Sequence, residues 1–154
     1  TYAQGRWPRR ADIYVYQYTD DTLIHTVFNL DANRIESMES ARGVQPALTA
    51  VEVQRATAIL FVDAAVRSQI EREFEQITGQ PLVSPGQLTV KAFVFHPDAL
   101  PGHNLGSAAA LCGVQRCAQL LITAAENVAL QSVPVINLSA GVVAYLSRLD
   151  GGAQ

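Results

Sequence analysis

The sequence is short of the residues on which most enzyme chemistry depends. Its 154 residues include only 3 histidines and 2 cysteines. No neighbouring serine, cysteine or aspartate pattern singles out one of the histidines as the base of a nucleophile. We therefore predict no catalytic residue and no bound cofactor, and we expect that the chain is not an enzyme.

Positive charge and long apolar runs are also scarce. Fourteen acidic residues against 11 basic ones give a net charge of −3, and Arg6, Arg9 and Arg10 form the one basic cluster, so a nucleic-acid partner is not expected.

No apolar run approaches the roughly 20 residues that span a bilayer. Residues 1–10 lack the apolar segment of a signal peptide. We expect a protein without a membrane span, periplasmic or secreted after removal of a leader, with a cytoplasmic location as the alternative.

The hydrophobic content is high enough for a core. With 49% hydrophobic residues, 154 residues suffice for one domain with a substantial core but are too few for two of ordinary size. The sequence predicts a single domain over residues 1–154, with flexible ends at residues 1–10 and 147–154.

One pattern occurs twice in the chain. The segment 27–35 (VFNLDANRI) is echoed by the segment 135–143 (VINLSAGVV). Each is an apolar run that is broken by a short polar turn and then resumed, which is typical of a β-hairpin. Asn33 and Gly141 take the positions at which the backbone most needs a positive φ.

Capping residues and periodicity predict the other elements. Thr49 and Glu52 form a capping box that begins a helix at Ala50, Asp63 marks a break, and Gly79 ends the helical region. Alternating apolar residues predict strands over 11–18, 23–30, 34–40, 89–95, 117–124 and 128–138, with a last strand ending near Leu146. The predicted order is β-β-β-α-α-β-β-β-β, an α+β fold in which two helices pack on one face of a mostly antiparallel sheet.

Three segments resemble a known family. Residues 8–16 (PRRADIYVY), 27–30 (VFNL) and 43–52 (GVQPALTAVE), within residues 8–80, are similar to the third amino-terminal domain of copper amine oxidases. Residues 93–94, 101–104 and 134–138 are a weaker echo of the segment that follows it. The resemblance implies a cystatin-like α+β domain.

The catalytic features of that family are missing. The family uses a tyrosine that follows an asparagine and becomes topaquinone, a His-x-His pair with a third histidine for copper, and an aspartate base. This sequence has no Asn-Tyr and no His-x-His. The resemblance therefore implies a non-catalytic binding or interaction module.

The two cysteines allow two interpretations. Cys112 and Cys117 flank a four-residue turn, a spacing that a disulfide can close. Reduced thiols with His96 and His103 are instead suitable ligands for copper or zinc. The alternative function is thus a small metal-handling protein that binds copper through His96, His103, Cys112 and Cys117.

Bulky apolar residues on both faces of the sheet predict an interface. Each predicted helix has one apolar stripe and can cover one face only. We expect a homodimer, or a complex with a protein partner, through the face that the helices leave open. The residues concerned are Tyr14, Tyr16 and Tyr18, or Phe93 and Phe95. A less favoured alternative is a small-molecule-binding cup or enzyme site between helix and sheet.

Overall fold

The computed structural model describes residues 7–99, 106–124 and 128–149. Its fold is α+β, as predicted. The elements are β1 (Arg10–Gln17), β2 (Thr22–Asn29), β3 (Arg34–Arg42), α1 (Ala50–Val62), α2 (Ala64–Thr78), β4 (Thr89–Val94), α3 (Ser107–Ala110), β5 (Cys117–Thr123), β6 (Ser132–Asn137) and β7 (Val142–Arg148). The predicted order is confirmed, with the short helix α3 as an addition.

The strands divide between two antiparallel sheets. One sheet has the order β1-β2-β3 and the other has the order β4-β5-β6-β7. The chain correspondingly forms two compact units, Thr1–Pro46 and Ala47–Gln154. The first unit contains the three-stranded sheet, and the second contains the helices and the four-stranded sheet. The prediction of a single domain over residues 1–154 stays a prediction.

The helix ends lie where the capping residues placed them. The N–H of Thr49 donates to Glu52 Oε2 at 2.7 Å and the N–H of Glu52 donates to Thr49 Oγ1 at 3.3 Å, so the capping box is complete. Asp63 ends α1 and caps α2 by accepting hydrogen bonds from the N–H groups of Ala65 and Val66. Gly79 stops α2 with a φ of 68°. Local sequence is therefore sufficient to set these boundaries.

Strand β6 is an interior strand of the second sheet, and all six of its residues are buried. The N–H and the hydroxyl of Ser132 both donate hydrogen bonds to Glu73 of α2. The side chain of Ser132 therefore lies on the face of the sheet that the helices cover. Because side chains alternate along a strand, Ile136 lies on the same face, together with Ala118, its partner on β5. Leu120, Ile122 and Ile136 are fully buried there.

The repeated segments form two hairpins with the same construction. Asn33 and Gly141 have φ values of 51° and 72°, as predicted. The ladder is bulged between Val27 and Phe28 in one hairpin and between Val135 and Ile136 in the other. In each hairpin an asparagine side chain accepts hydrogen bonds from backbone N–H groups of the turn. Asn29 accepts them from Asp31 and Ala32, and Asn137 accepts one from Ala140.

Candidate interaction surfaces

A disulfide fastens α3 to the second sheet. Cys112, two residues beyond α3, is bonded to Cys117 at the start of β5, with their Cα atoms 5.4 Å apart. The predicted disulfide is therefore present. The two cysteines pack with Phe95 and Val135 in one buried cluster, against which Tyr145 also packs. This cluster lies on the sheet face opposite α1 and α2, because Val135 and Ile136 are adjacent in β6.

Phe93 and Phe95 have different environments, although alternation places both on that face. Phe95 is 1% exposed beneath the disulfide, whereas Phe93 is 55% exposed. Phe95 thus belongs to the core of the second unit, which corrects the expectation that it accompanies Phe93 on an open surface. Phe93, opposite Gln119 of β5, is the accessible member of the pair.

The first unit has an aromatic surface on one face of its sheet, which we call the tyrosine face and define by Asp12, Tyr14, Tyr16 and His25. The rings of Tyr14 and His25, which are paired across β1 and β2, stack at a centroid distance of 4.5 Å. His25 Nε2 lies 2.8 Å from Asp12 Oδ1. Tyr14 remains 58% exposed. The result is a fixed, solvent-accessible ring with a carboxylate close by.

Tyr16 and Tyr18 are less accessible than Tyr14. Their rings meet edge to face at 5.2 Å, and the Tyr16 hydroxyl donates to Asp21 Oδ1 at 3.0 Å. Both side chains are half-buried. Of the three predicted interface tyrosines, Tyr14 offers the largest open surface.

An ion pair at the other end of this face has a shifted carboxyl group. Glu36 contacts Arg10 and accepts a hydrogen bond from Asn29 at 2.7 Å. The hydrogen bond from Arg10, then that from Asn29, lowers the pKa of Glu36. Glu36 is therefore a negative charge at neutral pH, held on β3.

A buried ion pair joins α1 to β5 in the second unit. Arg116 is 1% exposed. Its Nε donates to Glu52 Oε1 at 2.7 Å and its Nη2 donates to Glu52 Oε2 at 3.1 Å. Nη2 also donates to the carbonyl oxygen of Ala47 at 3.1 Å. Glu52 therefore has a second structural role beside the predicted capping box, and the sequence did not reveal this pairing with Arg116.

A second buried carboxylate, Glu73, lies between α2 and β6. Burial raises its pKa, but hydrogen bonds from the backbone and hydroxyl of Ser132, with one from Gln69 and the charge of Arg148, outweigh burial, so the pKa of Glu73 is lowered. The Gln69 amide donates at 2.8 Å, and Arg148 Nη1 lies 3.9 Å away. Glu73 is therefore ionised, with several partners that hold it in place.

An open groove runs beside α1 in the second unit. It has a volume of about 380 Å³ and is lined mainly by apolar side chains, among them Val53, Phe61 and Val90. A groove of this kind is open to solvent and differs from the enclosed pocket in which a buried small molecule is held. Strand β4, which borders it, is an edge strand.

The four residues of the predicted metal site are only partly brought together. His96 lies beside the 112–117 turn, since a Cβ at Gly113 would lie 3.3 Å from His96 Nδ1. Both cysteine sulfurs are occupied by the disulfide, and His103 lies outside the described residues. Within residues 7–99, 106–124 and 128–149, no three His, Cys, Asp or Glu side chains group as metal ligands. Metal binding by the cysteines would require the reduced form.

Comparison with solved structures finds the same fold in an oxidase. The chain is similar to part of a copper-containing benzylamine oxidase from Hansenula polymorpha, with 15% sequence identity and a TM-score of 0.53. The match covers 96% of this chain and 22% of the oxidase chain. At this identity the match shows the fold alone, and the chain spans about a fifth of the length of that structure. It is consistent with the resemblance to an amino-terminal oxidase domain.

Two other comparisons are negative. No protein-family model matches the chain, and no curated protein matches it. Within the described residues, no helix has the length and apolar character needed to cross a membrane.

Proposed function

We propose that this chain is a non-catalytic protein-interaction module of the kind that accompanies the catalytic domain in copper amine oxidases. The observation that carries the proposal is the pair of exposed aromatic residues on sheet faces, Tyr14 at 58% and Phe93 at 55%. Exposed aromatic side chains of this size are favoured anchors of protein interfaces. The fold match to one fifth of an oxidase chain supports the same role.

The partner in this proposal is a second copy of the chain, in an isologous dimer. Such dimers are the commonest closed assemblies, and one exposed aromatic patch supplies both halves of the contact. The disulfide supports an extracytoplasmic location, either periplasmic or secreted, because structural disulfides persist mainly in oxidising compartments.

The metal-handling alternative is favoured by one observation only, the position of His96 beside the Cys112–Cys117 turn. Copper or zinc would need thiolates in place of the disulfide. Metal analysis of protein purified with and without reductant separates the two functions. Stoichiometric copper in the oxidised protein would contradict the interaction module as the sole function.

Light scattering at micromolar concentration tests the dimer. We expect the wild type to have twice the monomer mass of 16.6 kDa. One of the two variants Tyr14→Ser and Phe93→Ser should return to the monomer mass, and that variant identifies the face that forms the dimer. Val44→Ser, at an exposed valine outside the strands, is the matched control and keeps the dimer. A wild-type mass of 16.6 kDa, or peroxide release from benzylamine in the presence of copper, would contradict the proposal.

A further inference from the structure

Strand β4 is an edge of the second sheet, and part of its backbone points away from that sheet. Within the described residues, β5 is its single neighbouring strand. The N–H of Phe95 donates to the carbonyl oxygen of Cys117 of β5 at 3.1 Å. Every second residue of an antiparallel pair exchanges hydrogen bonds with the neighbouring strand, so this bond sets the pattern along β4. The N–H and carbonyl groups of Val90, Ala92 and Val94 therefore point to the outer edge.

The outer edge of β4 separates two accessible surfaces. On the helix-covered face, Val90 lines the groove beside α1, and Ala92 and Val94 follow it on the same face. On the opposite face Lys91 is exposed, and Phe93 is 55% exposed. An edge whose backbone groups and flanking side chains are both accessible is a template for a further strand.

The sequence of β4 is self-complementary about Ala92. When two copies of the strand pair antiparallel with Ala92 opposite Ala92, Val90 of each copy lies opposite Val94 of the other. Lys91 of each copy then lies opposite Phe93 of the other. An ammonium group beside an aromatic ring is attracted to it, and cross-strand pairs of complementary side chains stabilise a sheet.

Other registers are less favourable. A shift of one residue sets outward-pointing backbone groups opposite inward-pointing ones, so only even shifts keep the hydrogen bonds. A shift of two residues in one direction places the two Lys91 side chains directly opposite each other, which is destabilising. In the other direction Lys91 lies opposite Phe95, which is 1% exposed and not accessible to it. A lysine on an edge strand discourages indiscriminate pairing, and here it selects one register.

We propose that two copies of the chain join edge to edge through β4, with Ala92 at the two-fold axis, so that their four-stranded sheets become continuous. This inference rests on the dimer of the proposed function and assigns that dimer to the edge that carries Phe93. Residues opposite each other in a sheet share a face, so the helices of both copies lie on one side. The grooves beside the two α1 helices then meet above the joined strands, and the isologous contact closes the assembly at two copies.

A cysteine at the two-fold axis tests the register. Cys112 and Cys117 are the two cysteines of the chain and are bonded to each other, so Ala92→Cys introduces a single free thiol. The Cα atoms of a hydrogen-bonded antiparallel pair are about 5.5 Å apart, within the range of a disulfide. Diamide takes up the hydrogen atoms of the two thiols, and we expect a covalent dimer on a non-reducing gel.

Thr89→Cys, on the same strand, is the matched control for this cross-link. In the proposed register residue 89 lies opposite residue 95, so the two introduced thiols are roughly 20 Å apart. We expect Thr89→Cys to form roughly tenfold less covalent dimer than Ala92→Cys, because a disulfide cannot span that distance.

An exchange of side chains tests the lysine–phenylalanine pairs by light scattering. Phe93→Lys sets a lysine opposite each Lys91 and should raise the Kd of the dimer roughly tenfold or more. The double variant Lys91→Phe with Phe93→Lys keeps each ammonium group opposite a ring and should restore the dimer. Val44→Lys adds the same charge at an exposed valine outside the strands and should leave the dimer intact.

The outcomes separate this pairing from the dimer itself. A wild-type mass of 16.6 kDa contradicts both. A dimer that cross-links no better through Ala92→Cys than through Thr89→Cys, or that persists in Phe93→Lys, overturns the edge pairing and leaves the dimer to another surface. A double variant that stays monomeric overturns the register. The cross-link at Ala92→Cys together with rescue by the double variant supports the proposal.

Discussion

Arg116 and Glu52 are 64 residues apart in the chain and meet through two hydrogen bonds, of 2.7 and 3.1 Å, in the interior of the second unit. Glu52 also closes the capping box of α1. One carboxylate therefore both begins a helix and attaches it to the sheet. A buried charge of this kind is tolerated only with a complete set of partners.

The first prediction concerns this pair. Glu52→Gln leaves the Arg116 charge buried without its counter-ion and should reduce the free energy of unfolding by roughly 3–5 kcal/mol, measured by urea denaturation. The double variant Glu52→Leu with Arg116→Met removes both charges and should cost less than the single change. Glu71→Gln, in the exposed pair with Arg67, is the control, with an expected cost of about 0–1 kcal/mol. A cost for Glu52→Gln as small as that of the control would contradict the buried role.

A second prediction concerns the disulfide. Replacement of Cys112 and Cys117 by serine should lower the free energy of unfolding by about 2 kcal/mol, since the bond closes only a short loop. Reductant should destabilise the wild type by a similar amount and leave the double variant unchanged. Alkylation without reductant, followed by mass spectrometry, should modify neither cysteine, and two alkylated thiols would exclude the bond.

The third prediction is a pH dependence. Because the pKa of Glu73 in the folded protein lies below its usual value of 4.5, its ionised form stabilises the fold. This stabilising contribution is fully present above pH 4.5 and is lost as the pH falls through the lowered pKa of the folded protein. Glu73→Gln should therefore flatten the loss of stability in acid. Ser132→Ala removes the hydroxyl that donates to Glu73, so the pH at which acid unfolds the protein should rise. An unchanged pH of acid unfolding would contradict the stabilising role of the Glu73 carboxylate.

A fourth prediction compares the two hairpins. Gly141→Ala should lower the free energy of unfolding by about 1 kcal/mol, because the φ of 72° at this position is unfavourable for a residue with a Cβ. Space is not the obstacle, since nothing lies within 4 Å of the added Cβ. Gly141→Asn should cost less, as Asn33 adopts the same conformation at the corresponding position. Gly86→Ala, where the added Cβ makes an ordinary 3.5 Å contact, is the control and should be nearly neutral.

The elements that the sequence predicted correctly are those fixed by local chemistry. Thr49, Asp63 and Gly79 each set a helix end through a contact within a few residues. The turns at Asn33 and Gly141 also depend on their own backbone conformation. Such signals lie entirely within a short stretch of sequence.

The features that it missed depend on residues distant in the chain. The pairing of Glu52 with Arg116 has no local pattern to announce it. Alternation assigns Phe93 and Phe95 to the same face, but only the position of α3 and its disulfide determines that Phe95 is covered. Likewise, the division of seven strands into two sheets follows from which strands pair, and periodicity within one strand does not contain that information.

The burial of the disulfide limits when it can form. Cys112 is 3% exposed and Cys117 is not exposed at all. Thiol–disulfide exchange proceeds by attack of a thiolate on an accessible sulfur. An oxidant or an isomerase must therefore act while the second unit is still incompletely packed. If the chain folds in a reducing environment, its thiols become enclosed, and later exposure to air oxidises them no faster than the unit opens.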